Sequence, residues 1–191
     1  MHKFPVERAG ILDSSERGLI LNPDDILDSA ELNSDSVVAD IGSGTGFFAI
    51  PASKRVSEGL VYAVDIQSEM HDILSRKISE EGLGNIETVL STETLIPLDS
   101  ESVDIAYIGN TLHELAELHT LSEVFRILRP GGRLIAVDWK KEETPMGPPK
   151  SHRLSEIEAS ALIESAGFTV TTVEDLGPYN YIINAVKSEA D

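Results

Sequence analysis

Apolar and polar positions alternate along the chain in a way that separates short strands from amphipathic helices. Continuous apolar runs mark strands at 37–41 (VVADI), 61–65 (VYAVD), 86–90 (IETVL), 103–108 (VDIAYI) and 133–138 (RLIAVD), with further strands at 168–174 and 181–187. Unbroken rather than alternating runs are the mark of strands buried on both faces. Helices are predicted between them, from Pro23 and over 47–57, 68–81, 114–128 and 155–166. Leu121, Val124, Phe125 and Leu128 fall on one helical face, at i, i+3, i+4 and i+7. Asn22 is placed to cap a helix that opens on Pro23, Asp24 and Asp25, and Ser155 with Glu158 forms a capping box for the last helix. "RPGG" at 129–132 is expected to end the helix before it. Strands alternating with helices predict an α/β fold: a Rossmann-like, mostly parallel seven-stranded sheet with helices on both faces. The last two strands are joined only by "DLGPYN", too short for a crossover helix, and should pair as an antiparallel hairpin.

The organisation reads as one domain over residues 1–191, with a core at 37–187 and an N-terminal segment at 1–22 expected to act as a lid. One long irregular stretch, 139–154 (WKKEETPMGPPKSHRL), is broken by prolines and glycine, and its length suggests a functional loop. No apolar run approaches the ~20 residues of a membrane span, and the charged N-terminus does not read as a signal peptide, so a cytoplasmic protein is expected. With 33 acidic against 15 basic residues, a net charge of −18, the chain should repel nucleic acid and anionic membrane. The absence of cysteine excludes disulfides, thiolate metal sites and cysteine nucleophiles together.

The chemistry concentrates in "VVADIGSGTGFFAIP", residues 37–51. Three alternate glycines, Gly42, Gly44 and Gly46, follow an apolar strand and open a helix, the turn where ligands of open α/β sheets bind. The dinucleotide fingerprint needs a further glycine where Phe47 stands, and a phosphate-binding loop needs Lys followed by Ser or Thr, which "GFFAIP" lacks. "HELAELH" at 113–119 does not match the H-E-x-x-H zinc motif, because residue 117 is Glu and the second His stands at 119. His113 and Glu117 could share a face, but no metal site is expected.

D-I-G-S-G-T-G resembles the first motif of the class I S-adenosylmethionine-dependent methyltransferases. Asp65, 19 residues beyond Gly46, is similar to their ribose-binding acid, and "LIPLDSESVDIAYIGNTLHEL", "EVFRILRPGGRLIAVDW" and "LSEIEASALIESAGF" resemble later stretches in the same order. The resemblance implies S-adenosyl-L-methionine as cofactor and assigns a cofactor-binding role to Asp40, Gly42, Gly44, Gly46, Asp65, Ile66 and Asn110. Asp40 would steer the ammonium of the methionine moiety, Asp65 would hold the ribose, Ile66 would pack on adenine and Asn110 would face the methionine end. Where the family often has an acid that accepts from the adenine amino group, this chain has Ser91-Thr92-Glu93, leaving Thr92 or Glu93 for that contact.

Methyl transfer from a sulfonium releases a neutral leaving group, so positioning and exclusion of water can supply much of the catalysis. If a base takes part, His113 is the candidate, just beyond the fourth strand. Lys140, Lys141, Lys150 and Arg153 make the 139–154 loop locally positive. Lys140, Lys141 and Arg153 are therefore expected to bind an anionic acceptor, with Trp139 as an apolar wall. The N-P-P-Y motif of nucleobase and glutamine methylation is absent after strand four. The chain is similar to the small-molecule branch that includes quinone and arsenite methyltransferases, although arsenic chemistry there depends on cysteines. A small-molecule methyltransferase is the expected function. The alternatives are a non-catalytic S-adenosylmethionine-binding regulator, a protein methyltransferase and an NAD-dependent oxidoreductase.

Overall fold

A computed structural model of the chain describes residues 4–13, 20–115 and 118–188. The sheet has seven strands: β1 (Val37–Ile41), β2 (Leu60–Asp65), β3 (Ile86–Leu90), β4 (Val103–Gly109), β5 (Leu128–Trp139), β6 (Thr169–Leu176) and β7 (Asn180–Val186). Their spatial order is β3-β2-β1-β4-β5-β7-β6. β1 to β5 run parallel, and β7 lies antiparallel to both β5 and β6. The expected seven-stranded, mostly parallel sheet with a C-terminal hairpin is therefore present. The strand order reverses between β1 and β4, so ligands should bind above the carboxyl ends of these two strands.

Helices cover both faces. On one side α1 (Pro23–Asp28) and α2 (Ala49–Arg55), with Leu74 of α3 (Ser68–Glu81), pack on Val38, Val61 and Tyr107. On the other, α4 (Leu118–Ile127) and α5 (Glu156–Ser165) bury Leu121, Val124, Ile127, Ala159 and Ile163 against Ala39, Ala106 and Leu134. Each residue removed from water in these clusters contributes roughly 1.5–3 kcal/mol if it is a large aliphatic side chain. The caps match the sequence: the Asn22 side chain accepts from Asp24 N, and Ser155 and Glu158 complete a reciprocal box.

Most boundaries shift by no more than two residues, and two differ by more. The predicted helix over 114–128 is a short 3-10 turn at Leu112–Glu114 followed by α4, while residues 116 and 117 lie outside the described residues. "RPGG" does end the helix, but β5 starts at Leu128 and contains it. A register shift between Val103 and Ile105 lets this stretch bulge before regular pairing resumes at Arg133. No helix among the described residues is long and apolar enough to cross a membrane.

Candidate functional site

Above the carboxyl ends of β1 and β4 lies a cavity of about 980 Å³. β1 brings the glycine loop to its wall. Val64 O accepts from both Gly42 N (2.8 Å) and Ser43 N (3.0 Å), which stitches the loop to β2. Asp65, at the end of β2 and 8% exposed, accepts from Gly44 N through one oxygen (2.8 Å) and from Gln67 N through the other (2.9 Å). Each carboxylate oxygen retains a further acceptor site, and both the residue and Gly44 line the cavity.

The three glycines divide their work. Gly42 and Gly44 stand in the cavity wall with φ of +73° and +50°, a left-handed backbone that glycine adopts without steric cost. Gly46 does not line the cavity. Its φ is +90°, and a Cβ there would come within 2.4 Å of Leu74 Cδ1, so its bareness lets the loop sit close on α3. Asp40 is buried at 2% exposure within β1, behind the loop and outside the lining. Ile66, Ser91, Thr92 and Glu93 form the β2–β3 end of the wall. Thr92 Oγ1 accepts from Thr94 N at 3.3 Å, and Glu93 O accepts from Thr120 Oγ1 at 2.7 Å, which holds this turn open toward the cavity.

Asn110 follows β4 with φ +58°. Its Oδ1 accepts from Asn180 Nδ2 at 2.9 Å, and the same amide nitrogen donates to Asp138 O at 3.3 Å. Asp138 O is only an acceptor, which fixes the orientation of the fully buried Asn180 amide. His113 comes from the 3-10 turn after β4. Its side chain is 7% exposed, its Nδ1 lies 2.8 and 3.0 Å from the two oxygens of Asp138, and its main-chain N–H donates to the same carboxylate at 2.7 Å. Burial and Arg153 work against a charged ring. The hydrogen bond and charge of Asp138, with the charge of Glu114, outweigh them and raise the His113 pKa above its ordinary 6.5. Asp138 and Asn180 did not stand out in the sequence. The available signal was an acid and an amide at the ends of apolar runs, where a buried polar group needs a partner.

A folded-state pKa above 6.5 means that His113 contributes stability fully below pH 6.5 and loses it as pH rises through the raised value. Urea unfolding of the wild type and of His113→Gln should therefore differ most in acid and converge toward alkaline pH; a constant difference would contradict this.

The positive loop is corrected by its geometry. Lys140 Nζ pairs with Asp175 at 2.7 Å and Lys141 Nζ with Glu158 at 2.8 Å, and neither lysine lines the cavity. Arg153 is 4% exposed and turns into its own loop, donating to the carbonyls of Pro148, Lys140, Glu142 and Met146 at 2.8–3.1 Å. Its guanidinium also lies 5.5 Å from the centre of the Trp139 ring. These three charges are paired within the fold and none of them lines the cavity. Trp139 does line the cavity, together with Met146, Gly147 and Pro148 of the loop that Arg153 holds. Arg153→Ala should destabilise the protein by roughly 2–4 kcal/mol, because several charge-assisted bonds that fasten the loop disappear together. Thermal unfolding should register that loss; an unchanged midpoint would refute the structural role.

The N-terminal segment closes the opposite side. Phe4, Arg8, Ile11 and Leu12 line the cavity around the 3-10 turn Val6–Ile11. Asp13 accepts from Thr45 Oγ1 of the glycine loop at 2.7 Å and pairs with Lys77 Nζ at 2.6 Å. Residues 1–3 and 14–19 of the expected lid lie outside the described residues, as does Glu117 of the weighed cation pair. Among the described residues no group of three or more His, Cys, Asp or Glu could hold a metal ion.

The family described as a methyltransferase domain matches residues 38–132. The chain is 36% identical to a SAM-dependent methyltransferase from Aquifex aeolicus of known crystal structure, with a TM-score of 0.93, covering 97% of this chain and 100% of that one. It is 31% identical over 111 residues to a demethylmenaquinone methyltransferase of Lactococcus lactis subsp. lactis, covering 57% of this chain and 44% of the relative. It is 27% identical over 160 residues to a ubiquinone/menaquinone biosynthesis C-methyltransferase of Marinomonas sp., covering 81% and 60%. The chain thus spans about half the length of these two curated relatives.

Proposed function

We propose that this chain, which belongs to the class I S-adenosylmethionine-dependent methyltransferases, methylates a small neutral acceptor of the quinol type. The observation that carries the reading is one continuous cavity. It runs from Asp65 and Ile66, past the bare main chain of Gly42 and Gly44, to Asn110, His113 and Trp139. Its volume of about 980 Å³ is at the upper end for small-molecule sites, room for a nucleoside-sized cofactor beside a second ligand.

S-adenosylmethionine, when bound, supplies a methyl group on a sulfonium whose departure leaves a neutral thioether. The residues of this chain do the rest. Asp65 offers its two remaining acceptor sites to a diol, and Ile66 offers an apolar face to a base. Gly42 and Gly44 allow close approach to the main chain, where a Cβ on Gly42 would already crowd Thr111 Oγ1 at 2.9 Å. Thr92 or Glu93 would accept from the adenine amino group, Asn110 would face the methionine end, and Asp40 would steer the ammonium from behind the loop. Gly46 supports the loop from α3. The N-terminal turn and the loop holding Trp139 serve as lid and wall, excluding water.

A neutral ring fits the far end better than the anion expected from the loop sequence. Trp139, Met146, Pro148 and Leu115 are apolar, Glu114 stands beside them, and Arg8 is the single Lys or Arg among the described residues of the whole cavity wall. The relatives named as quinone methyltransferases support the same acceptor class. The test is transfer of radiolabelled methyl from S-adenosylmethionine to a panel comprising a reduced 2-prenyl-1,4-naphthoquinone, a benzoic acid, an unstructured peptide and water alone. Label in the naphthoquinol is expected. Label confined to the benzoic acid would restore the anionic acceptor, label in the peptide would indicate a protein methyltransferase, and cofactor binding without transfer would leave a binding protein.

A further inference from the structure

We infer that Asp138 is a positioning residue that fixes one tautomer of His113, making His113 Nε2 the acceptor for a proton borne on oxygen by the methyl acceptor. The inference rests on the proposed methyl transfer and adds to it which proton moves and where.

Three donors converge on the Asp138 carboxylate at the end of β5: His113 N at 2.7 Å, His113 Nδ1 at 2.8 Å and Trp139 N at 2.8 Å. Asp138 is 1% exposed and its side chain cannot turn to water. A carboxylate accepts only, so Nδ1 must carry the hydrogen. The lone pair of the neutral ring is then on Nε2, at the opposite edge of an imidazole that lines the cavity. The main-chain bond from His113 to the same carboxylate locks the turn as well as the ring. Asn180 secures the carbonyl side of Asp138 and ties it to Asn110, so base, positioning acid and cofactor-end amide form one connected set.

Groups facing the ring come from several elements. Asp138 on β5 and Glu114, whose Oε1 is 4.0 Å from Nε2, favour the proton; Arg153 from the 139–154 loop opposes it. A base poised above the ordinary histidine range suits a phenolic or enolic hydroxyl, whose unperturbed pKa is about 10. An acceptor that is already anionic, or a thioether, has no such proton and would not require this arrangement. In the balanced step the hydroxyl proton passes to Nε2 and the bond formed joins the acceptor to the methyl carbon. The bond broken is methyl to sulfur, whose electron pair stays on sulfur. The imidazolium then releases its proton to solvent. For attack through ring carbon, the hydroxyl conjugated to that carbon gives the first proton, the carbon-bound proton leaves on rearomatisation, and the oxygen regains a proton from solvent, so that one proton is released in all.

Histidine-selective 15N labelling reads the tautomer without any acceptor, with His113→Gln identifying the signals. In the wild type bound to S-adenosylhomocysteine, neutral His113 should show N–H at Nδ1 and a lone pair at Nε2, titrating above pH 6.5. In Asp138→Asn the titration should fall below pH 6.5 and the Nδ1–H form should lose its dominance. With the reduced 2-prenyl-1,4-naphthoquinone as acceptor, the rising limb of kcat against pH should move to lower pH in that variant. Its plateau should fall by roughly 10- to 100-fold, while affinity for S-adenosylhomocysteine is unchanged. An Nε2–H tautomer in the wild type overturns the inference, and so does an Asp138→Asn variant that titrates like the wild type. If Asp138→Asn does not fold, the wild-type tautomer decides alone. Failure of the wild type to bind S-adenosylhomocysteine would instead strike at the proposed function.

Discussion

Asp65→Ala is expected to weaken binding of S-adenosylhomocysteine by roughly 10²- to 10⁴-fold. The carboxylate has two tasks in one place. It accepts from Gly44 N and Gln67 N, fixing the glycine loop and the chain leaving β2, and it presents its remaining acceptor sites to the cavity. Hydrogen bonds to a charged group contribute about 1.5–3 kcal/mol each, so losing two to a ribose diol gives the range stated. Alanine would also leave Gly44 N without its acceptor, and the loop would no longer be held in the shape that exposes bare main chain. Calorimetric titration of variant and wild type measures the effect. Asp65→Asn should recover part of the affinity, because one oxygen can still accept from the main chain or the diol. A loss of less than threefold in the alanine variant would remove Asp65 from the site.

The second large effect lies in the cavity wall itself. Gly109 closes β4, and a Cβ there would stand 2.1 Å from Cε2 and 2.6 Å from Cδ2 of Phe48. Phe48 is 4% exposed, stacks on Tyr107 with ring centroids 6.3 Å apart, and meets Phe47 edge-on at 5.2 Å. Tyr107 and Phe47 therefore restrict how far the ring can retreat from an added methyl. Gly109→Ala should cost roughly 2–3 kcal/mol, the upper part of the usual range for overpacking. For a chain of this length that is about 5–10 °C in Tm. Because Phe48 also lines the cavity, cofactor affinity should fall with stability. A variant as stable as the wild type would show that the aromatic stack yields freely. Gly109→Ala combined with Phe48→Leu should then recover part of the loss if the clash is its cause.

The contrast between what the sequence disclosed and what it concealed follows the range of the interactions. The glycine loop and Asp65 were legible because their pattern is compact, a strand, a turn and an acid at fixed spacing, and β1 and β2 carry that pattern to one sheet edge. The hairpin of β6 and β7 was legible because six connecting residues cannot cross a sheet. Asp138 was concealed because its partner His113 is 25 residues away and meets it only when β4 and β5 lie side by side. Asn180 reaches Asn110 across 70 residues for the same reason, through the antiparallel seat of β7 on β5.

The charged loop was misleading in the opposite sense. Lys140, Lys141 and Arg153 are dense in sequence, but their acceptors are Asp175 on β6, Glu158 on α5 and carbonyls of the loop itself. Local charge density therefore reported how the loop is fastened rather than what it binds. Gly46 carries a similar lesson. Its spacing placed it with the ligand-facing glycines, whereas its φ of +90° and its contact with Leu74 give it a packing task on α3.

The backbone at the tip of β1, together with Asp65, is expected to receive an adenosyl sulfonium. Isothermal titration of the intact folded protein with S-adenosylmethionine and with S-adenosylhomocysteine tests it most directly. Saturable binding of one molecule per chain is expected for both, abolished or severely weakened by Asp65→Ala. Folded protein that gives no saturable signal with either compound would contradict it.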